Sequence, residues 1–225
     1  MKNKLMTIIH NQDVTCHPHL PQINSSAGDK RVGSSQADKA ASHDRIVKTA
    51  AARIRSEGID GVSVSDLMTD AGLTHGGFYR HFGSRDELVV EAVEAALADG
   101  SKAAAAAGQL GPGQGLAAVI AGYLSATHRD HPEAGCAVAA LPTDVVRATP
   151  GARAAYTTQV RRYLDLLAEL DPSHDSDQAQ MTLAALVGGV LLARAVDDQE
   201  LSDEILESVA RGLRGRAAPA PCEAS

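Results

Sequence analysis

The stretch "AGLTHGGFYRHFGSRDEL", residues 71 to 88, concentrates side chains that are suited to contact an anion. Both phenylalanines of the chain and one of its four tyrosines lie within five residues of each other, beside Arg80 and His81. No Asp or Glu occurs between Leu73 and Arg85, although the whole chain has a net charge of −7. Hydroxyl, imidazole and guanidinium groups can donate hydrogen bonds to the oxygens of phosphate. The stretch therefore indicates a local phosphate-binding surface on an acidic protein.

Three short helices are predicted to position this stretch. Ser42 is a candidate N-cap of the first helix, which ends at Gly58. Ser63 can cap the second helix, which ends at Gly72. Thr74 can cap the third, which contains two consecutive glycines. The second and third helices are joined by the four-residue turn "AGLT", a spacing typical of a helix-turn-helix.

In a helix-turn-helix the third helix enters the major groove of DNA by its N-terminal end. Gly76 and Gly77 are poor helix formers, but they would let the backbone come close to base edges. The Thr74 hydroxyl and the helix N-terminus can both bind phosphate. Further phosphate contacts that would hold the register are predicted for Tyr79, His81 and Arg85.

The sequence from Gly61 to Leu88 resembles the DNA-binding domain of TetR/AcrR-type transcriptional regulators. Arg85 stands where that family normally has Lys, and Val62 and Met68 replace the commoner Thr and Ala. The matching positions are in register and without a gap: Val64, Asp66, Ala71, Gly72, Gly76, Tyr79, His81, Phe82 and Leu88.

The resemblance implies a role for each residue of the third helix. Phe78 and Phe82 would pack the small core of the domain. Residues implied to contact phosphate are Thr74, Tyr79, His81 and Arg85. Residues implied to face or approach the bases are His75, Gly76, Gly77 and Arg80. Ser63, at the start of the second helix, completes the predicted DNA-binding set.

Composition and periodicity predict an all-α protein, because Ala, Leu, Arg and Glu dominate and β-branched or aromatic runs are scarce. A three-helix DNA-binding domain would be followed by a C-terminal helical domain. The predicted divisions are a disordered tail at 1–41, the helix-turn-helix domain at 42–100, an effector-binding and dimerisation domain at 101–214 and a second disordered tail at 215–225.

The resemblance also implies that the C-terminal domain binds a small effector and dimerises through its last two long helices, here 177–197 and 202–213. Gly188 and Gly189 would permit close approach of a partner helix. Burial inside one chain explains the same pattern. The broad apolar surface in question is formed by Leu183, Leu186, Val187, Val190 and Leu191.

Cys136 is the one cysteine of the predicted ordered region, since Cys16 and Cys222 lie in the predicted tails. A thiol at a helix N-terminus beside His128, Arg129 and His131 is a candidate for reaction with oxidants or electrophiles. Its "GC" context is similar to that of NemR-type regulators of the same family, where the cysteine senses such reagents. A small buried hydrophobe is the simpler interpretation. A metal site with both histidines matches no standard zinc spacing.

Aromatic side chains of the C-terminal half are candidates for lining an effector pocket. They are Tyr123, Tyr156 and Tyr163, with Met181 beside them in the same set. Each of these side chains is also compatible with an ordinary place in the hydrophobic core.

These patterns together predict a cytoplasmic DNA-binding regulator, most simply a repressor that leaves its operator on a small-molecule, electrophile or oxidant signal. Its partners would be double-stranded operator DNA, a second copy of the chain and an unidentified effector.

Three dispersed cysteines and the lack of a long apolar run indicate a reducing compartment and no membrane span. No cofactor, metal or catalytic residue is predicted. The alternative is a helical enzyme or adaptor without DNA binding.

Overall fold

The computed structural model describes residues 36–217, without the side chains of residues 101–105 and 216–217. Within this part of the chain all regular structure is helical, which confirms the predicted all-α fold. The elements in chain order are α1 (Gln36–Glu57), α2 (Val64–Asp70), a 3₁₀ helix (His75–Arg80), α3 (Arg85–Gly108), α4 (Gln114–Tyr123), α5 (Ala126–Asp130), a second 3₁₀ helix (Pro132–Ala134), α6 (Ala137–Ala140), α7 (Pro142–Val145), α8 (Pro150–Leu170), α9 (Ser176–Ala195) and α10 (Gln199–Ala217).

Side-chain caps fix the starts of α2 and α3, as the sequence predicts. Ser63 Oγ accepts a hydrogen bond from the Asp66 N–H at 3.5 Å. Ser84 Oγ accepts one from the Glu87 N–H at 3.1 Å. The Glu87 carboxylate in turn accepts a hydrogen bond from the Gly83 N–H at 2.6 Å. These bonds satisfy backbone donors that have no partner inside the helix, and each such cap stabilises a helix by about 1 kcal/mol.

The first helix begins six residues earlier than predicted. Ser42 lies inside α1, where its Oγ accepts a hydrogen bond from Arg45 Nη2 at 3.1 Å instead of capping the helix. Residues 36–41 read "QADKAA", which are mostly good helix formers with an acid in the first turn, so the helix extends through them. The predicted tail at 1–41 is therefore wrong for these residues.

The last helix also extends into a predicted tail, because α10 continues to Ala217. Cys16 and Cys222 lie outside the described residues, and so do the rest of both predicted tails. The predicted domain boundary at residue 100 falls within α3, which runs without a break to Gly108. The division into two domains stays a prediction.

Two hydrophobic clusters hold the helices together. The first is centred on α1, α2 and α3 and includes both phenylalanines, Phe78 and Phe82, whose rings stack at 5.4 Å. Burying a side chain of this size contributes about 1.5–3 kcal/mol. The second cluster joins α4, α8, α9 and α10 around Ile120, Leu186 and Val190. The implied core role of the phenylalanines is confirmed by their burial.

Candidate nucleic-acid interface and internal cavity

A tight turn joins α2 to the 3₁₀ helix and sets their relative direction. Gly72 has a positive φ of 73°, a conformation that residues with a side chain rarely adopt. Its N–H donates to the Thr69 carbonyl, and the Leu73 N–H donates to the Met68 carbonyl at 2.8 Å. These bonds end α2 at the predicted place. The sequence "AGLT" thus forms the turn of a helix-turn-helix.

The third helix of this motif is a short 3₁₀ helix. The Gly77 N–H donates a hydrogen bond to the Thr74 carbonyl at 2.9 Å. The two residues are three positions apart, which is the hydrogen-bond spacing of a 3₁₀ helix. Thr74 has the extended backbone of an N-cap residue, but its hydroxyl makes no capping hydrogen bond in the described structure. The predicted side-chain cap is wrong because the Thr74 carbonyl takes that place.

The glycine pair is not required by the packing of the described residues. A Cβ atom added at Gly76 would have no atom of this structure within 4 Å. A Cβ at Gly77 would lie 3.5 Å from Met68 Cε, which is ordinary van der Waals contact. Neither glycine has a positive φ. The fold accepts a side chain at both positions, so the bare backbone points to a constraint from outside the chain.

The structure places most of the predicted contact residues on one exposed segment. Tyr79 is 76% exposed, although large aromatic side chains are usually buried. Its ring meets the buried Phe78 edge-on at 5.2 Å. The other exposed residues of the predicted set are Ser63, Thr74, His75, Gly76, Arg80 and Arg85, and Gly77 is half-buried.

Two predicted phosphate ligands have internal roles as well. Arg85 Nη2 donates to the Ile59 carbonyl at 2.8 Å and so ties the start of α3 to the loop after α1. The His81 side chain is half-buried. Burial lowers the pKa of His81, with smaller contributions from the positive charges of His43, Lys39 and Arg80. Its ring is therefore neutral at pH 7 and would contact phosphate as a hydrogen-bond donor only.

His43, which sequence reasoning missed, supports the same region from α1. Its Nε2 lies 2.7 Å from Glu91 Oε2 on α3, and its ring stacks on Phe82 at 4.5 Å. The position of His43 on a face of α1 does not indicate this contact in the sequence, because its partner Glu91 lies 48 residues away.

A largely apolar cavity of about 810 Å³ lies between α3, α4, α5, α8 and α9. This volume is within the range of small-molecule sites. Of the predicted pocket residues, Tyr123, Tyr163 and Cys136 line it. Tyr156 is not part of its wall, because its hydroxyl donates to the Val138 carbonyl at 2.8 Å. Met181 is 55% exposed on α9 and is not part of the wall either.

Cys136 lies in the cavity wall at the start of α6 and is 8% exposed. Its Sγ is 3.7 Å from Tyr163 Oη. Its N–H donates to His128 Nε2 at 2.9 Å, and His128 Nδ1 lies 2.6 Å from the Tyr123 carbonyl. Because Nε2 accepts, Nδ1 must carry the proton and donate to that carbonyl, which makes His128 neutral. Burial also lowers the pKa of His128.

The cations expected beside the thiol are engaged elsewhere. His128 is neutral, and Arg129 is buried in ion pairs with Asp130 and Asp203 and donates to Ser202 Oγ. His131 pairs with Glu133 at 3.2 Å. Within residues 36–217 no three His, Cys, Asp or Glu side chains are arranged to hold a metal ion.

Gly135 explains the "GC" pair in terms of packing. A Cβ atom at this position would lie 2.9 Å from His128 Cδ2 and 3.1 Å from Arg194 Nη2. The first distance is shorter than real Cβ atoms show, and the second is tighter than an ordinary contact. The glycine is thus needed for the His128 ring to reach the Cys136 N–H.

Arg55 connects α1 directly to the cavity wall. Its side chain is buried, with Nε donating to the Glu133 carbonyl at 2.7 Å. Its Nη1 lies 3.3 Å from Asp99 Oδ2 and donates to it. Glu133 and Asp99 both line the cavity. A buried arginine therefore joins α1 to two residues of the cavity wall.

Among the described helices, none combines the length and the apolar character that crossing a lipid bilayer requires.

Comparison with known proteins gives a family match for the helix-turn-helix region. The family described as bacterial regulatory proteins, tetR family, matches residues 46–92. A comparison with functionally curated proteins gave no match. Similar solved structures include Escherichia coli NemR in its reduced form, with 21% identity, a TM-score of 0.65 and coverage of 78% of this chain and 96% of that one.

Two further structures are TetR-family transcriptional regulators. The one from Cytophaga hutchinsonii has 20% identity and a TM-score of 0.67, over 80% of this chain and 96% of that one. The one from Agrobacterium tumefaciens has 21% identity and a TM-score of 0.67, over 79% and 98%. The family match identifies residues 46–92 as a DNA-binding domain of the kind found in the tetR family of bacterial regulatory proteins, and the similar solved structures show that the chain shares the overall fold of such regulators.

Proposed function

We propose that the protein is a dimeric repressor that leaves its operator when a signal is sensed in the internal cavity. The observation that carries this proposal is the exposed, acid-free 3₁₀ helix with two glycines that the fold itself does not need. A signal that stabilises the unbound form over the DNA-bound form lowers operator affinity by that difference in free energy.

The contacts with DNA divide by chemistry. Thr74 and Tyr79 offer hydroxyl groups to phosphate, and Arg85 offers the part of its guanidinium that Ile59 does not use. Arg80 and the bare backbone at Gly76 face base edges, where an arginine can donate two hydrogen bonds to guanine. Since residues 41–97 carry six Lys and Arg against nine Asp and Glu, affinity depends on these few groups rather than on a basic domain.

Dimerisation is supported by an exposed apolar stripe on α9. Leu183, Leu186 and Val190, three of the residues considered above, are buried inside the chain, so that face is not available to a partner. A Cβ at Gly189 would lie 3.1 Å from Leu124 Cδ2, which places this glycine inside as well. The outward stripe consists of Met181, Ala184, Ala185, Gly188, Leu191, Leu192 and Ala195, which are exposed or half-buried.

This stripe fits a second copy of the chain. Its residues lie on one face over about four turns of α9 and include no charged side chain. On the neighbouring α10, Leu201 is also exposed. Contiguous exposed apolar surface on a soluble protein marks an interface. A twofold dimer would present two recognition segments to two half-sites.

Arg55 is the proposed link between cavity and DNA. A ligand or adduct that displaces the Glu133 or Asp99 segment changes the hydrogen bonds that hold the C-terminal end of α1. Because α1 packs against α3 in the same cluster as the recognition segment, that change alters the placement of the segment.

For the signal, we propose modification of Cys136 as one route. Its thiol faces the cavity, and E. coli NemR, a structure described as a reduced form, shares the fold. An electrophilic alkene adds to the thiol across its C=C bond: a carbon–sulfur bond forms and the thiol proton ends on the neighbouring carbon. The adduct would occupy the cavity beside the segment that Arg55 holds.

The DNA-binding role is tested by replacing Tyr79 and Arg80 together with alanine. We expect specific affinity to fall about a hundredfold, because two exposed contacts of roughly 1–1.5 kcal/mol are lost. Fluorescence anisotropy at fixed salt would compare a duplex from the DNA flanking the chain's own gene with a shuffled duplex.

Arg147→Ala is the matched control, since it removes one exposed arginine outside the helix-turn-helix. A double variant that binds the specific duplex as tightly as the unaltered protein would contradict the proposed contacts.

The sensor role is tested with N-ethylmaleimide on protein in which Cys16 and Cys222 are replaced by serine. We expect alkylation of Cys136 to lower specific DNA affinity at least tenfold, and a further Cys136→Ser change to remove the response. Mass spectrometry would confirm the adduct, and anisotropy would measure the binding.

Arg55→Lys supplies the comparison for the proposed link. A lysine keeps the charge but cannot make both hydrogen bonds, so this variant should be alkylated equally and release less DNA. Release from the Cys136→Ser protein would show that the thiol is not the sensor, and equal release from Arg55→Lys would remove Arg55 from the pathway.

A further inference from the structure

We infer that Asp144 on α7 is a positioning residue for DNA binding. Its carboxylate holds the loop residue Ile59, and the Ile59 carbonyl in turn holds the guanidinium of Arg85 in place for a phosphate. This inference rests on the phosphate contact proposed for Arg85. It gives the C-terminal half of the chain a part in shaping the DNA-binding surface.

Asp144 contacts the loop that connects α1 to α2. The Ile59 N–H donates a hydrogen bond to Asp144 Oδ1 at 3.3 Å, across 85 positions of the sequence. The Asp144 side chain is 15% exposed. Its contacts with Thr143 at 3.5 Å and Arg147 at 3.9 Å are with residues beside it in the chain. The Ile59 bond, by contrast, joins α7 to the helix-turn-helix region.

Gly58 leaves room for this carboxylate at the end of α1. Its φ of 77° is a conformation that residues with a side chain rarely adopt. A Cβ atom added at Gly58 would lie 3.0 Å from Asp144 Oδ1, which is tighter than an ordinary contact. The backbone turn and the space beside the carboxylate thus both favour glycine. Because no side chain intervenes, the carboxylate reaches the N–H of the next residue.

Ile59 is held at both of its backbone groups. Its side chain is buried in the first hydrophobic cluster, its N–H is held by Asp144, and its carbonyl accepts a hydrogen bond from Arg85 Nη2 at 2.8 Å. Without the Asp144 acceptor, the N–H would need water as its partner, and the loop would shift to expose it. The carbonyl of the same residue would move with the loop.

Arg85 is the first residue of α3, and its side chain is exposed. One of its five N–H donors binds the Ile59 carbonyl, which restrains the orientation of the guanidinium and leaves the other donors for a phosphate. A side chain that is held in its binding orientation loses less conformational entropy when it binds. A loop shift that releases the guanidinium therefore weakens the phosphate contact although Arg85 itself is unchanged.

Asp144→Asn and Asp144→Leu form a matched pair of variants. Both remove the negative charge and keep nearly the size of aspartate, but only asparagine offers an oxygen to the Ile59 N–H. With the full chain and the duplex that flanks its own gene, we expect Asp144→Leu to lower affinity about tenfold and Asp144→Asn by no more than about twofold. Asp144→Ala, which removes the acceptor without adding an apolar side chain, should behave as Asp144→Leu. Thermal melting would confirm that the variants are folded.

The salt dependence of binding separates positioning from a general loss of stability. Each Arg85 that leaves its phosphate should reduce the slope of log affinity against log salt concentration by about 0.9. Asp144→Leu should therefore show the same reduced slope as Arg85→Ala. In the Arg85→Ala background, Asp144→Leu should cause no further loss of affinity, because the group that it positions is already absent.

Three results would overturn the inference: equal affinities of Asp144→Asn and Asp144→Leu, an unchanged salt slope in Asp144→Leu, or losses that add in the double variant with Arg85→Ala. The Arg85→Ala protein distinguishes the two levels. If it binds DNA more weakly while Asp144→Leu binds as the unaltered protein does, only the positioning by Asp144 is wrong. If Arg85→Ala binds as tightly as the unaltered protein, the proposed phosphate contact is wrong, and the inference fails with it.

Discussion

A Gly76→Leu protein is expected to lose specific operator binding at least a hundredfold while its melting temperature stays unchanged or rises. The fold offers no obstacle to the new side chain, because a Cβ at this position has no described atom within 4 Å. Leucine also favours helical backbone over glycine by about 0.8 kcal/mol. The side chain would instead project into the gap between backbone and base edges and hold the whole recognition segment away from the groove.

Graded substitutions make this test sharper. Gly76→Ala adds one methyl group and should cost about tenfold in affinity. Gly215→Leu is the matched control, since a Cβ there also meets no described atom and the position lies at the far end of the chain on α10. Anisotropy and thermal melting would be run on all three variants. Unchanged DNA affinity in Gly76→Leu would mean that the glycine does not face DNA.

A Leu192→Glu protein is expected to be monomeric and to bind operator more than a hundredfold more weakly. Leu192 is 59% exposed in the apolar stripe of α9, so removing it costs the isolated chain little. In the proposed dimer, the carboxylate would be buried against a second copy without a partner, which is strongly unfavourable. A monomer occupies one half-site at a time and loses the effective concentration that links the two.

Sedimentation equilibrium would measure the association, and anisotropy the binding. Val146→Glu is the matched control, because Val146 is 64% exposed and follows α7, outside the stripe. This control should remain dimeric. A Leu192→Glu protein that is still a dimer would place the interface elsewhere, and an unaltered protein that is monomeric would contradict the dimer itself.

The helix-turn-helix could be predicted because its signals are local. The Ser63 and Ser84 caps and the Gly72 turn each act over three or four residues, and each is formed as the sequence indicates. The predicted start of α1 was wrong because Ser42 is a good N-cap residue. The residues before it are also good helix formers, so the helix begins at Gln36 and continues through Ser42.

The residues that line the cavity could not be predicted without the tertiary structure. Tyr123 and Tyr156 have equal standing in the sequence, but only Tyr123 lies in the cavity wall. Arg55 carries no local signal, because its partner Glu133 is 78 residues away. Helix α9 shows the same limit: its apolar residues surround the helix, and only packing decides that Leu186 turns inward and Leu192 outward. Long-range contacts decide all three cases.

DNA recognition by the 3₁₀ helix is tested most directly by a hydroxyl-radical footprint on the DNA that flanks the chain's own gene, at stated salt. We expect two protected tracts on one face of the duplex, with centres about 34 Å apart or a multiple of that distance, from two recognition segments in adjacent major grooves. Gly76→Leu should abolish both tracts together. Uniform weak protection, or none at concentrations where the protein is folded and dimeric, would contradict the assignment of the exposed 3₁₀ helix as the DNA-reading element.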